Sequence, residues 1–242
     1  MTRIDAAGMD FTALNALLRE TEGDVELRGC LGHRFIGAGM GQRKINIHGV
    51  PGNALGAYLN GAEIEVFGNA QDAVGDTMND GTIIVHGNIG DTTGYAMRGG
   101  KIYVEGNAGY RTGIHMKEYR GHLPVIIIGG RAGSFLGEYQ AGGIIIVLGL
   151  HTDAAAKPIV SNFPCTGMHG GKLFLRSRCE SILFPEQVTP RPATAEDLAE
   201  IAEYLQAYCH LFGLDKENLL SEPFTVVTPN SANPYQQMYV AN

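Results

Sequence analysis

The chain has 242 residues, of which 44% are apolar, and it carries a formal net charge of −7 at pH 7. This composition predicts a folded chain with a substantial core and excludes disorder. Lys and Arg are scattered, which excludes a basic nucleic-acid surface, and no apolar run approaches the ~20 residues that span a bilayer. The four cysteines lack the C-x-x-C spacing of zinc or iron–sulfur sites, and no signal peptide is recognisable. We therefore expect a reduced, cytoplasmic protein.

The N-terminal segment, residues 1–22, contains one predicted helix. Its sequence FTALNALLRE, at residues 11–20, places apolar side chains at helical spacing. We expect this short amphipathic helix to cover one end of the repeat array that follows.

Residues 23–180 show a glycine repeat with a period of 19 residues. A second series of glycines lies seven residues after the first, and both series contain one longer interval of 24 residues. Glycine at these positions predicts repeated turns or close backbone approaches. The first series is Gly49, Gly68, Gly87, Gly106, Gly130 and Gly149, and the second is Gly56, Gly75, Gly94, Gly113 and Gly137.

A pair of alternating β-branched residues precedes each glycine of the first series, which predicts a short strand with one apolar face. About a dozen glycine-interrupted residues separate successive strands, too few for a helical crossover between parallel strands. The sequence therefore predicts an all-β fold, a β-helix of about seven coils with one strand of this kind in each. The pairs are Ile45/Ile47, Ile64/Val66, Ile83/Val85, Ile102/Val104, Ile126/Ile128 and Ile145/Val147.

Other residues repeat in step with the glycines. Asparagine tolerates left-handed turns, and its amide can hydrogen-bond the next amide in a stack. We expect one asparagine ladder, and one apolar column inside the coils. The ladder is Asn69, Asn88 and Asn107, and the column is Leu59, Met78, Met97 and Met116.

The C-terminal segment, residues 181–242, contains a second predicted helix. Thr194 begins a sequence close to a capping box, TAED, and apolar residues follow at helical spacing as far as Phe212. A β-helix without caps exposes strand edges that invite aggregation, so we expect this helix to cover the second end. The remaining tail is expected to be extended along the surface.

The sequence assigns no catalytic, cofactor-binding or metal-binding residue. GAGMG at 37–41 is followed by a strand rather than a helix, unlike a dinucleotide-binding loop. The histidines have no metal-ligand spacing. The best nucleophile candidate is Cys165 near His169, but neither has an evident orienting acid.

Two features are candidate partner contacts. The 24-residue coil contains an additional loop at 113–124, and another excursion spans 151–165; each is either a solvated bulge or a recognition loop. The residue between the two members of each strand pair points outward, and it is polar in the first coils and apolar in the later ones. Either the C-terminal helix or a partner is expected to cover this apolar outward face. The loop residues are His115, Lys117, Glu118, Tyr119 and Arg120, and the apolar outward residues are Ile84, Tyr103, Ile127 and Ile146.

The repeat in GNIGDTTGYAMRGG, with GGRAGSFLGEYQAGGIIIVLG and TGMHGGKLFLR, resembles the GXGXG domain of the glutamate synthase large subunit. The resemblance covers about residues 23–180, and the terminal segments resemble stand-alone versions in archaea and anaerobic bacteria. A sibling family, the β-helical subunit of formylmethanofuran dehydrogenase, shares the repeat. The resemblance implies a right-handed β-helix with a structural role beside glutaminase and FMN-containing synthase domains, which make glutamate from glutamine and 2-oxoglutarate.

No catalytic residue carries over from the resemblance, because Thr2 stands where an amino-terminal amidotransferase needs its cysteine. FMN and an iron–sulfur cluster are expected on partner chains. The expected function is a non-catalytic subunit that docks glutaminase-type and FMN synthase-type subunits. Two alternatives stay open, a scaffold of a formylmethanofuran dehydrogenase-type complex and an independent enzyme with a site near His115 or His169. A homo-oligomer is also left open.

Overall fold

The computed structural model describes residues 1–150 and 158–231, and in them eleven strands form one sheet. Strands β1 to β9 follow one another in chain order, and β11 and then β10 continue the sheet. The strands are β1 Thr2–Asp5, β2 Val25–Leu31, β3 Lys44–Val50, β4 Asn60–Val66, β5 Asp80–Val85, β6 Lys101–Val104, β7 Val125–Ile128, β8 Ala141–Val147, β9 Gly170–Leu175, β10 Val188–Pro192 and β11 Thr225–Pro229. The helices are α1 Phe11–Glu20, α2 Ala195–Glu200, α3 Ala202–Phe212 and α4 Lys216–Leu220.

Each of the first nine strands pairs in parallel with the next, which makes the protein a β-solenoid and confirms the predicted all-β fold. The register follows the repeat, since Ile45 pairs with Ile64, and Ile64 with Ile83. The solenoid has about eight turns, one more than the predicted seven. Strand β1 also pairs in parallel with β2, before the first recognisable repeat, and so extends the stack.

The interior of the coils is filled by the predicted strand pairs and the predicted column. All twelve paired Ile and Val side chains are fully buried, as are Leu59, Met78, Met97 and Met116. Burying a side chain of this size stabilises the fold by roughly 1.5–3 kcal/mol. The core therefore extends as one continuous column along the solenoid.

The asparagine ladder is present as predicted. Asn88 N donates to Asn69 Oδ1 and Asn107 N donates to Asn88 Oδ1, both at 2.8 Å. A second ladder runs beside it, in which Asp91 N donates to Asp72 Oδ1 at 2.9 Å. Because both side chains point along the stack, each satisfies a backbone donor of the next coil.

The two glycine series have different roles. Glycines of the second series have φ between 64° and 73°, the left-handed region expected for coil corners. In the first series, a Cβ on Gly87 would lie 2.7 Å from the carbonyl oxygen of Gly68, and similar contacts recur in the neighbouring coils. The first series therefore allows the backbones of successive coils to approach closely, and does not mainly provide turns.

Helix α1 packs against the first coils. Asp10 caps its N-terminus by accepting hydrogen bonds from Thr12 N at 2.8 Å and Ala13 N at 3.0 Å. Leu14 and Leu18 are fully buried on the inward side. The predicted N-terminal helix is confirmed, and residues 1–22 also contribute β1 to the sheet.

The C-terminal helices lie elsewhere than predicted. They pack on the outward face of the sheet, where Ile201, Leu205 and Tyr208 form a second apolar cluster with the strands. The hydroxyl of Tyr208 donates to the carbonyl of Val104 at 3.0 Å. The end of the sheet is formed instead by two antiparallel strands. Strand β11 runs antiparallel to β9, and β10 runs antiparallel to β11.

This packing decides between the two covers proposed for the apolar outward residues. Ile84, Tyr103, Ile127 and Ile146 are at most 3% exposed beneath the C-terminal helices. Of the two covers that the sequence left open, the C-terminal helices occupy this face, so these four side chains are not on the exposed surface. The chain covers this face itself, because α2 and α3 carry a matching apolar stripe.

Candidate interaction surface

The candidate nucleophile at Cys165 is not activated. Its side chain is fully buried, and burial raises the pKa of the thiol to about 12. His169 is turned to its own loop, where Nδ1 donates to the carbonyl oxygen of Gly167 at 3.0 Å. Because the thiolate is the nucleophile, a buried neutral thiol of this kind does not support covalent catalysis.

The histidines on the outward face belong to a ring stack. Phe67 lies between His48 and His86, with ring centroids 4.7 Å and 5.2 Å away. Nε2 of His86 also lies 3.0 Å from Glu65 Oε1. The intervening ring prevents the two imidazoles from sharing a metal ion, and no group of three potential metal ligands occurs in residues 1–150 and 158–231.

The loop predicted to contact a partner begins in a row of exposed rings. His115 is stacked on Tyr139 with ring centroids 5.2 Å apart, and it meets Tyr95 edge-on at 6.0 Å. Tyr95 and Tyr139 are 42% and 41% exposed. The three rings come from equivalent corners of successive coils, so the solenoid repeat sets their spacing.

A second row of rings lies along the same coil corners. Phe135 is 5.4 Å from Tyr110 and 5.2 Å from Phe163, which is 61% exposed. The guanidinium of Arg111 lies over the rings of Tyr110 and Phe135, and its Nε is 2.7 Å from Oε2 of the buried Glu138. This ion pair holds the arginine against the rings.

We call these two rows the aromatic strip, and five of its six rings are exposed. Aromatic residues and arginine are enriched in protein–protein interfaces and in the residues that dominate binding energy. The strip was not predicted from the sequence, although a signal was present: Tyr139 lies 24 residues after His115, one coil further on. The strip is Tyr95, Tyr110, His115, Phe135, Tyr139 and Phe163.

The rest of the 113–124 loop forms a short hairpin. Tyr119 and His122 exchange backbone hydrogen bonds of 3.3 Å and 3.0 Å. Glu118 Oε1 accepts from Gly143 N at 3.1 Å, whereas Lys117 and Arg120 are exposed. The loop is therefore an ordered projection, and it brings His115 into the strip. The first part of the other predicted loop, residues 151–157, lies outside the described residues.

Comparison with known proteins identifies relatives of the whole chain. The family model described as GXGXG motif matches residues 22–230. An uncharacterised protein of Methanocaldococcus jannaschii is 40% identical over 248 residues, which cover 98% of this chain and 95% of that protein. No helix in the described parts of the chain is long and apolar enough to cross a bilayer.

A solved structure shares the fold. A chain in the X-ray crystal structure of the formyltransferase/hydrolase complex of Methylorubrum extorquens matches with a TM-score of 0.63 and 22% identity. The match covers 93% of this chain and 89% of that chain. At this identity the likeness shows the fold, and it carries no assignment of individual residues.

Proposed function

This chain belongs to the GXGXG motif family, and we propose that it is a non-catalytic structural subunit of a glutamate synthase-type complex. In this role it docks a glutaminase-type subunit and an FMN synthase-type subunit that together make glutamate from glutamine and 2-oxoglutarate. The aromatic strip is the observation that carries the docking role, because its exposed rings are held in place by the solenoid and by Arg111. The complex is proposed to be cytoplasmic.

The chemistry in this proposal belongs to the partners. We assign FMN and the iron–sulfur cluster to the partner chains; the four cysteines of this chain, which are all buried and lie in separate segments, support this for the cluster. Iron–sulfur clusters need several thiolates at one place. An independent enzyme with a site at His115 or His169 is not supported, because His115 is part of the ring stack and His169 is bonded to its own loop.

One observation favours a second candidate. The formyltransferase/hydrolase complex of Methylorubrum extorquens contains a chain with this fold. A scaffold in a complex of the formylmethanofuran dehydrogenase type is therefore the alternative. Both candidates use the chain as a structural subunit, and they differ in the catalytic subunits that bind to it.

The test is to isolate the native complex through a tag on this chain and identify the accompanying chains by mass spectrometry. A glutaminase-type chain together with a flavin-containing synthase chain is the expected result. A molybdenum or tungsten protein would move the assignment to the alternative. Recovery of the tagged chain by itself would contradict both candidates.

The docking role is tested by changing the strip without disturbing the core. We expect the double substitution Tyr95→Ser and Phe163→Asn to reduce recovery of the partners by tenfold or more, since each exposed ring at an interface contributes roughly 1–2 kcal/mol. Asparagine is chosen because Phe163 has φ 58°, which asparagine tolerates. The matched control is Leu31→Ser, which removes a 79% exposed apolar side chain at the end of β2, in the first coils and away from the strip, and should leave partner recovery unchanged.

A further inference from the structure

A surface pocket of about 230 Å³ lies between the coils and the hairpin of the 113–124 loop. Asn60, at the start of β4, and Asp80, at the start of β5, line one side. Arg98, from the next coil, and the hairpin line the other. The five additional residues of the 24-residue coil therefore create this pocket, which a coil of 19 residues would lack.

Two arginines in the pocket are held by a single tyrosine. The guanidinium carbons of Arg98 and Arg120 lie 5.8 Å and 5.1 Å from the ring centroid of Tyr119, so they are at most about 11 Å apart. Within the described parts of the chain, neither guanidinium has a carboxylate partner within 4.0 Å, although the chain carries 25 acidic residues. Both arginines line the same pocket without a carboxylate partner, and an anion bound there would be attracted to both charges.

The other lining residues add hydrogen-bond donors. The side chains of Asn60 and Asn79 form no hydrogen bond among the described residues, and His122 faces the same pocket. Asp80 is the one carboxylate in the lining, and its Oδ1 accepts from Gly81 N at 2.8 Å. The lining thus has a net positive charge in a chain whose formal net charge is −7.

We propose that this pocket binds a small oxyanion, a phosphate or a dicarboxylate. Guanidinium groups present paired N–H donors that match the oxygens of such anions, and stacking on a ring orients them before binding. The two asparagine amides supply further donors to the remaining oxygens. The inference is independent of the proposed function, because it concerns a ligand of the isolated chain and needs no partner subunit.

The first probe is inorganic phosphate, titrated into the full-length chain by calorimetry at low ionic strength. We expect saturable binding with one site, weakened about tenfold or more by Arg98→Gln or Arg120→Gln, since a charge-assisted hydrogen bond is lost in each.

Asp80→Asn should act in the opposite direction and tighten binding about threefold or more, because it removes the opposing charge while its amide oxygen can still accept from Gly81 N. The control is Arg19→Gln, the same change at an exposed arginine of α1, and it should leave the affinity unchanged.

The second probe is succinate, which separates the two sources of the oxyanion. Tighter binding of phosphate assigns the pocket to phosphorylated ligands, and tighter binding of succinate assigns it to dicarboxylates. The proposal is overturned if neither probe binds saturably, or if Arg19→Gln weakens binding as much as Arg98→Gln does. Circular dichroism of each variant checks that the solenoid is intact.

Discussion

The coil corners show why some positions in this protein require glycine. Ala73, Gly75 and Thr77 all have left-handed φ, between 51° and 67°, and the same alternation recurs around other corners. Left-handed backbone is therefore not restricted to glycine, although it costs roughly 1 kcal/mol at other residues. What distinguishes Gly75 is that a Cβ there would lie 2.6 Å from Cδ1 of the buried Ile102.

Two alanine–glycine exchanges in one corner should therefore have opposite effects. Gly75→Ala should lower the free energy of unfolding by roughly 3 kcal/mol, because it adds left-handed strain and overpacks the core against Ile102. Ala73→Gly should leave it unchanged or raise it by up to about 1 kcal/mol, since strain is relieved. Urea denaturation of both variants measures the difference. Equal destabilisation by the two exchanges would contradict this account.

Among the elements, the start of α2 is bound tightly to the edge strand. Thr194 and Asp197 form a capping box, and Arg191 from β10 donates to both Asp197 oxygens at 2.6 Å and 2.9 Å. The sequence showed the box, with Asp in place of Glu, but not the arginine. The hydrogen bonds from Arg191 hold the pKa of the Asp197 carboxyl well below its usual range.

This lowered pKa predicts how the stability depends on pH. A carboxyl group whose pKa is lower in the folded than in the unfolded state stabilises the fold above its unfolded pKa, about 3.9. The stabilisation is lost as the pH falls from there towards the folded pKa. Asp197→Asn should therefore have a lower Tm than the wild type at pH 7, and the gap should narrow below about pH 4. Thermal melts between pH 2.5 and pH 7 measure this, with the exposed Glu196→Gln as the control; a gap that is constant with pH would argue against it.

At the scale of the whole molecule, the C-terminal segment protects two surfaces of the solenoid. Strands β11 and β10 cover the edge of β9, and the outermost strand contains Pro190 and Pro192, which have no N–H to offer a further strand. The helices cover the apolar outward face. A single C-terminal unit therefore covers both an edge and a face that would otherwise promote aggregation.

Removing this unit should make the chain aggregate. Truncation after residue 187 deletes β10, β11 and the helices between them, and it leaves the β9 edge and the Ile84–Ile146 face exposed. Size-exclusion chromatography should show large species in place of the wild-type peak. Leu183→Ser serves as the control, because it changes an exposed residue just before the cut and should elute as the wild type does. A monodisperse truncated chain that elutes as a compact monomer would disprove the covering role.

The solenoid, its register and its inner column follow from the sequence, because a repeat of 19 residues stacks each side chain on its own equivalent. Ile45, Ile64 and Ile83 therefore identify one another as neighbours. The position of the C-terminal helices, the antiparallel end of the sheet and the pocket beside the 113–124 hairpin became apparent only in the folded structure. These depend on contacts without a period, such as the bond from Tyr208 to Val104, which joins residues 104 positions apart. Burial of apolar surface has no directional preference. The apolar stripe of an amphipathic helix therefore predicts which side of the helix is buried, but not which face of the fold it packs against.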